Sequence, residues 1–289
     1  MTIRDVLIKL RLCSEITYIG ENKIFDWLQQ NPDCQELPLS LIISILKLNG
    51  EKRAKLIKSF NSSSLQNEVS ANKLNSVVVT IIDRDYPFRL KECYRPPIVL
   101  FMRGNLKLLN QQSLAVVGAR QRTGYSIEAI RLLLPDVVRN NKVIVSGLAA
   151  GVDTLAHQFS IANQADTIAV IGTGLDIYYP KNNKNLQMEI AQKGLLISEY
   201  GLHTGPRRNH FPERNRIIAG LCECLLVTEA KHHSGSLITA NLALQENRTV
   251  LAVPGSISSP LSLGCNELIV AGATPVINGQ QILDEFYEN

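Results

Sequence analysis

From Leu114 onward, apolar runs of strand length alternate with helix-length periodic segments, and this alternation constrains the fold more than any other feature of the chain. The runs are LAVVG (114–118), VIVSG (143–147), TIAVIG (167–172), LLISE (195–199), CLLVTE (224–229), TVLAVPG (249–255) and TPVI (274–277). Each is continuously apolar, the pattern of strands buried on both faces. Strands of this kind separated by helices predict an α/β fold, a mostly parallel sheet flanked by helices. Upstream, the β-branched run Val77-Val78-Val79-Thr80-Ile81-Ile82 predicts one strand and residues 98–102 another. Between them Tyr86-Pro87 and Pro96-Pro97 predict an extended connector.

The first 60 residues have a different period. Ile3, Val6, Leu7 and Leu10, then Ile24, Phe25 and Leu28, then Leu41, Ile42, Ile45 and Leu46 recur at helix spacing, with a helix start at Pro38 and Ser40. This predicts a small all-helical domain over residues 1–65. Two glycine-punctuated turns, Tyr18-Ile19-Gly20 and Leu48-Asn49-Gly50, each precede a charged helix. The arrangement is similar to helix-hairpin-helix modules that hold a DNA backbone, although a ligand-free bundle is the commoner outcome. Residues 61–76, NSSSLQNEVSANKLNS, are polar and predict a linker, or else a frayed helix end joined to the next strand. The α/β part then spans 77–289.

Composition narrows the function classes. A formal charge of +4 permits a polyanionic partner without demanding one. The amphipathic N-terminus with Asp5 is not a signal peptide, and the longest apolar run, near residues 39–48, is too short to span a bilayer, so a cytoplasmic protein is expected. Of the six cysteines, Cys222 and Cys224 form a lone close pair without a second pair, and His232-His233 is a loop dipeptide; no metal is assigned.

Nearly every strand ends in Gly, Ser, Thr or an acid, and in open α/β sheets ligands bind outside these carboxyl ends. Candidate contacts there are Gly118, Ala119 and Arg120, with Arg122 nearby, then Ser146 and Gly147, and Gly172 and Gly174. None of these turns completes GxGxxG or GxxxxGK[ST], which argues against dinucleotide and P-loop sites. Segment 210–240 opens on a basic cluster that begins just before it, Arg207, Arg208, His210, Arg214 and Arg216, with Phe211 and Asn215 between them. Guanidinium groups beside an aromatic ring suit phosphates and stacked bases, and Ser234 and Gly235 open a helix whose N–H groups suit an anion. No GxSxG elbow is present, and Asp153, Asp176, Glu199 and Glu229 fit structural N-caps and arginine partners better than an acid–base pair.

The motifs VGAR (117–120), SGLAAGVDTLAH (146–157), TIAVIGTGLDIYYPKNN (167–183), SEYG (198–201), FPERNRIIAGL (211–221), EAKHHSGSLITA (229–240) and AVPGSISSPLSLGCNELIVAGA (252–273) closely resemble the DNA processing protein A family, also called Smf. The likeness covers roughly residues 77 to 280; the N-terminal helices resemble the family's sterile-alpha-motif-like domain only loosely. The resemblance implies an extended Rossmann-like fold that binds single-stranded DNA without catalytic activity or cofactor. It implies protection of incoming strands in natural transformation, displacement of single-strand-binding protein and loading of RecA recombinase. It implies a phosphate contact for Arg120, DNA contacts for Arg208 and Phe211, and Lys181 on the same basic face. A homodimer is implied too, and the apolar Leu268, Ile269 and Val270 are the expected interface. No C-terminal winged helix is expected. The alternative is a nucleotide enzyme such as a nucleoside-monophosphate phosphoribohydrolase, although Pro254-Gly255-Ser256-Ile257 lacks the PGGxGT loop.

Overall fold

The structure, a computed structural model, describes residues 2–287. Two compact units divide the chain. The first comprises Met1–Met102, Thr173–Ile177 and Ser198–Gly205, and the second Arg103–Gly172, Tyr178–Ile197 and Pro206–Asn289.

The first unit begins with five helices, α1 (Ile3–Leu12), α2 (Tyr18–Gln30), α3 (Leu39–Ile45), α4 (Gly50–Phe60) and α5 (Ser63–Asn75). Thr2, Thr17 and Ser62 cap α1, α2 and α5 by accepting from Asp5, Gly20 and Leu65 N–H groups. The predicted apolar positions Val6, Leu7, Leu10, Ile24, Phe25, Leu28 and Ile42 are buried. Two expectations are corrected. Residues 63–75 form a full helix and not a linker, and Tyr18, Ile19 and Gly20 are the first turn of α2 and not a turn before it. Strand β1 (Val77–Thr80) then pairs antiparallel with β2 (Val99–Gly104), with α6 (Phe88–Lys91) between them. Helix α1 is fastened to this pair, for Arg4 ion-pairs with Asp83 at 2.9 Å and donates to the Val78 carbonyl at 2.6 Å. The boundary predicted near 61–76 therefore lies inside the first unit.

In the second unit the predicted strands form as β3 (Ser113–Val117), β4 (Val143–Ser146), β5 (Thr167–Ile171), β6 (Leu195–Ser198), β7 (Cys224–Val227), β8 (Thr249–Ala252) and β9 (Thr274–Pro275). Their order is β6-β5-β4-β3-β7-β8-β9. Pairs β3–β4, β4–β5, β3–β7, β7–β8 and β8–β9 are all parallel. The connecting helices are α7 (Gly124–Arg139), α8 (Val152–Ala162), α9 (Lys184–Lys193), α10 (His210–Leu221), α11 (Gly235–Gln245), α12 (Leu263–Val270) and α13 (Gly279–Asp284).

Leu114 and Val116 of β3 and Leu226 of β7 share one core with Leu133, Leu134 and Val137 of α7, Val152 and Ala156 of α8, and Ile282 of α13. Helix α10 packs on β3 and β5, and α11 on β7 and β8. The chain leaves β3 toward β4 and β5, then returns to place β7 on the opposite side. Strands β3 and β7 thus flank the point where strand order reverses, the position at which open α/β sheets form a crevice beyond their carboxyl ends. No helix among the described residues is long and apolar enough to cross a membrane.

Candidate nucleic-acid interface

A cleft of about 500 Å³ lies at this reversal, lined among others by Gly118, Arg120, Phe211, Lys231 and Ser234. That volume is in the range of small-molecule and cofactor pockets. Its floor is the turn after β3. A side chain at Gly118 would press on Val152 and Thr228, so only glycine lets the chain turn here. Beyond it the Ala119 carbonyl accepts from the Val152 N–H at 3.2 Å, which ties the turn to the start of α8. Gly151, at φ 86°, permits this approach, since a Cβ there would overlap the Ala119 carbonyl.

The other end of the turn is held by Glu229, a buried acid just beyond β7. Its carboxylate accepts from the Thr123 N–H (2.9 Å) and hydroxyl (2.6 Å) and from the Ser126 hydroxyl. Between these two anchors the exposed Arg120 guanidinium stands over the Phe211 ring, 5.7 Å from its centroid. Tyr179 lies against the same ring at 5.3 Å and is 44% exposed. One cation and two adjoining aromatic faces thus stand together in the second unit.

The predicted basic cluster divides by direction. Arg207 and Arg208 are exposed just before α10, and Lys181 is exposed in a short 3-10 turn. Arg214 turns inward, 4% exposed, and donates to the carbonyls of Gly147 and Val170, the latter at 2.6 Å, and to Asn215 Oδ1 at 3.0 Å. It still borders the cleft, as Asn215 does, while Arg216 is half-buried. Gly147 is glycine because a Cβ would overlap the Arg214 guanidinium. Ser146 is fully buried and donates to the Val116 carbonyl at 2.7 Å. The Gly172 carbonyl accepts from His210 Nδ1 at 3.0 Å. Gly174 belongs to the first unit, where its N–H donates to the Thr204 carbonyl. Ser146, Gly147, Gly172 and Gly174 are therefore occupied with holding the chain. At α11, Ser234 and Gly235 line the cleft, and the Ser234 hydroxyl lies 2.9 Å from that of Ser236.

The four acids are engaged structurally. Asp153 accepts from the Gly147 and Ala149 N–H groups, Asp176 pairs with His203 at 2.7 Å, Glu199 lies 3.5 Å from Arg11, and Glu229 clamps the β3 turn. Burial pushes the Asp153 carboxyl up, against the pull of Arg214. His157 is buried and lowered to about 3, first by desolvation and then by the Arg214 charge. The Thr167 hydroxyl donates to the Ile144 carbonyl, so its oxygen accepts from His157 Nδ1–H at 2.8 Å.

Sequence reading passed over Lys231 and Tyr179. Lys231 had a visible signal, a cation three residues before the small residues that open α11. Tyr179 had none, because its contact with Phe211 joins positions 32 residues apart. In α12, Leu268 is buried, Ile269 half-buried and Val270 90% exposed.

The parallel sheet and its reversal point define a Rossmann-like α/β fold. Residues 77–287 match the family described as DNA recombination-mediator protein A, and the chain belongs to that family. It is 50% identical over 207 residues to DNA processing protein DprA of Streptococcus pneumoniae, spanning 72% of this chain and 73% of that one. The X-ray structure of DNA processing protein A from Streptococcus pneumoniae superposes with a TM-score of 0.90 at 41% identity, over 99% of each chain. A Helicobacter pylori DNA processing protein A structure, described for its single-stranded DNA binding mode, gives 0.66 at 30% identity, over 74% of this chain and 97% of that one.

Proposed function

We propose that this protein binds single-stranded DNA along the cleft beyond β3 and β7. The observation that carries this reading is the juxtaposition of the Arg120 guanidinium with the Phe211 ring beside a pocket whose lining includes Gly118, Ser234 and Gly235. A phosphate suits the guanidinium and the α11 N-terminus, and a base suits the rings. Arg120, Lys181, Arg207, Arg208 and Lys231 supply charge, Gly118, Ala119, Ser234 and Gly235 supply close backbone approach, and Arg214 with Asn215 holds α10 in place. Arg216 adds positive charge on the same helix. The relative described for its single-stranded DNA binding supports the same reading.

In this reading the protein is a non-catalytic recombination mediator in the cytoplasm. It protects incoming strands in natural transformation, displaces single-strand-binding protein and loads RecA, acting as a homodimer through the apolar end of α12. Gel-shift titration against single- and double-stranded oligonucleotides of one length tests the DNA reading, with tighter single-strand binding expected. Equal affinity for both, or base release from nucleoside monophosphates, would favour the nucleotide-enzyme alternative.

A further inference from the structure

The first unit carries a surface that the cleft does not account for. Residues 81–98 connect β1 to β2, and the connector is fastened from within. Tyr86 is buried and its hydroxyl donates to the Pro97 carbonyl at 2.6 Å, while Leu90 and Cys93 are also buried. With these side chains turned inward, Phe88 and Tyr94 are left outside, 74% and 71% exposed. Single exposed apolar side chains are ordinary. Two aromatic rings this exposed, six positions apart on one anchored connector, are a different matter.

The company they keep indicates the occupant. Arg84, Arg89 and Lys91 are exposed beside them, and Arg95 is half-buried. Arg95 adopts φ 53°, a left-handed conformation that disfavours side chains, and its guanidinium lies 4.8 Å from the centre of the Tyr94 ring. Within residues 84–95 four cations face two acids, Asp85 and Glu92. A protein hot spot also uses aromatics and arginine, but the excess of cations selects a polyanion. A polyanion that carries flat aromatic groups is a single-stranded nucleic acid, held by stacking on the rings and by charge along its backbone.

We propose that Phe88 and Tyr94, with Arg84, Arg89, Lys91 and Arg95, form a second base-stacking site for single-stranded DNA, on the first unit. The inference rests on the DNA reading of the cleft and assigns a further set of contacts. The test uses the full chain and fluorescence anisotropy with two oligomers of equal length, oligo(dT) and an abasic analogue with the same phosphates. Phe88→Ala/Tyr94→Ala should weaken oligo(dT) binding at least about fivefold, from the usual contribution of one stacked base. It should leave the abasic oligomer unaffected, with the thermal melt unchanged because both side chains are exposed. Phe88→Tyr should retain full affinity. An oligomer carrying 5-iodouracil should photocrosslink to the peptide containing Tyr94. The proposal is overturned if the double variant binds oligo(dT) within about twofold of the parent while Arg120→Ala weakens it, which would hand this surface to a protein partner. It is also overturned if both oligomers weaken equally, since the rings would then not be reading bases. If Arg120→Ala too leaves binding unchanged, the cleft reading itself fails and takes this inference with it.

Discussion

Replacing Gly147 by alanine tests whether a residue at a strand end serves ligand approach or the seating of a neighbour. Arg214 is 4% exposed, and its guanidinium donates to the carbonyls of Gly147 and Val170. A methyl group on residue 147 would occupy the guanidinium's position. Each hydrogen bond to a charged group contributes about 1.5–3 kcal/mol. Displacing both predicts a loss of about 3–6 kcal/mol, a large share of the roughly 5–15 kcal/mol typical of a whole protein. Urea denaturation followed by circular dichroism would measure it. Arg214→Met alone should also destabilise, yet it vacates the space the methyl needs. Gly147→Ala should therefore cost less in the Arg214→Met background, with a coupling of about 1–3 kcal/mol. An alanine variant within about 0.5 kcal/mol of the parent, or strictly additive costs, would refute the argument and return Gly147 to the list of ligand contacts.

Arg120→Ala should flatten the dependence of log affinity on log salt by about 0.7, one phosphate contact on a single strand, whereas Phe211→Ala should cost about 1–3 kcal/mol with little change of slope; unchanged binding in both folded variants would dismiss the site. His157 is neutral when folded, near 3, and titrates near 6.5 when unfolded, so the stability it confers above pH 6.5 is lost as pH falls toward 3. His157→Gln should remove roughly 2 kcal/mol of the stability difference between pH 6.5 and 4.5, measured by urea denaturation at both values, and a parallel slope would contradict this. Ile269→Glu, beside the 90%-exposed Val270, should convert a dimer to a monomer in sedimentation while unfolding stays cooperative. A persisting dimer would place the interface elsewhere.

Strands β3 to β7 were legible because each is buried on both faces and therefore written as a continuous apolar run, with no neighbour needed to interpret it. Helix α5 was not, since only Leu65 and Asn72 are buried in its thirteen residues and it shows almost no apolar stripe. What holds it lies elsewhere: a Ser62 cap, an ion pair from Lys73 to Asp5 at 2.6 Å, and the Asn72 side-chain Oδ1 accepting from the Leu202 N–H at 2.9 Å. In the cleft, the direction of each side chain could not be read from the sequence. Arg208 and Arg214 read alike as members of one basic cluster, yet six positions along the chain separate an exposed cation from one enclosed by carbonyls. Glycine has the same ambiguity, for Gly118 makes room for the floor of a cleft and Gly147 makes room for an arginine.

The clasp between Arg4 and Asp83 bears on how such a protein can be cut, grafted or inherited. The family's shared segment begins at residue 77, while the first compact unit runs on through Met102. The seam of descent and the seam of folding are thus 25 residues apart. A truncation placed at the seam of descent would strip β1 of the donor to its Val78 carbonyl and leave Asp83 without its cation. Exchanging the leading helices for another set would remove the same two contacts unless the newcomer brought an equivalent arginine to the same spot. The helices at the front are in this sense tenants of the β1–β2 pair and not detachable cargo.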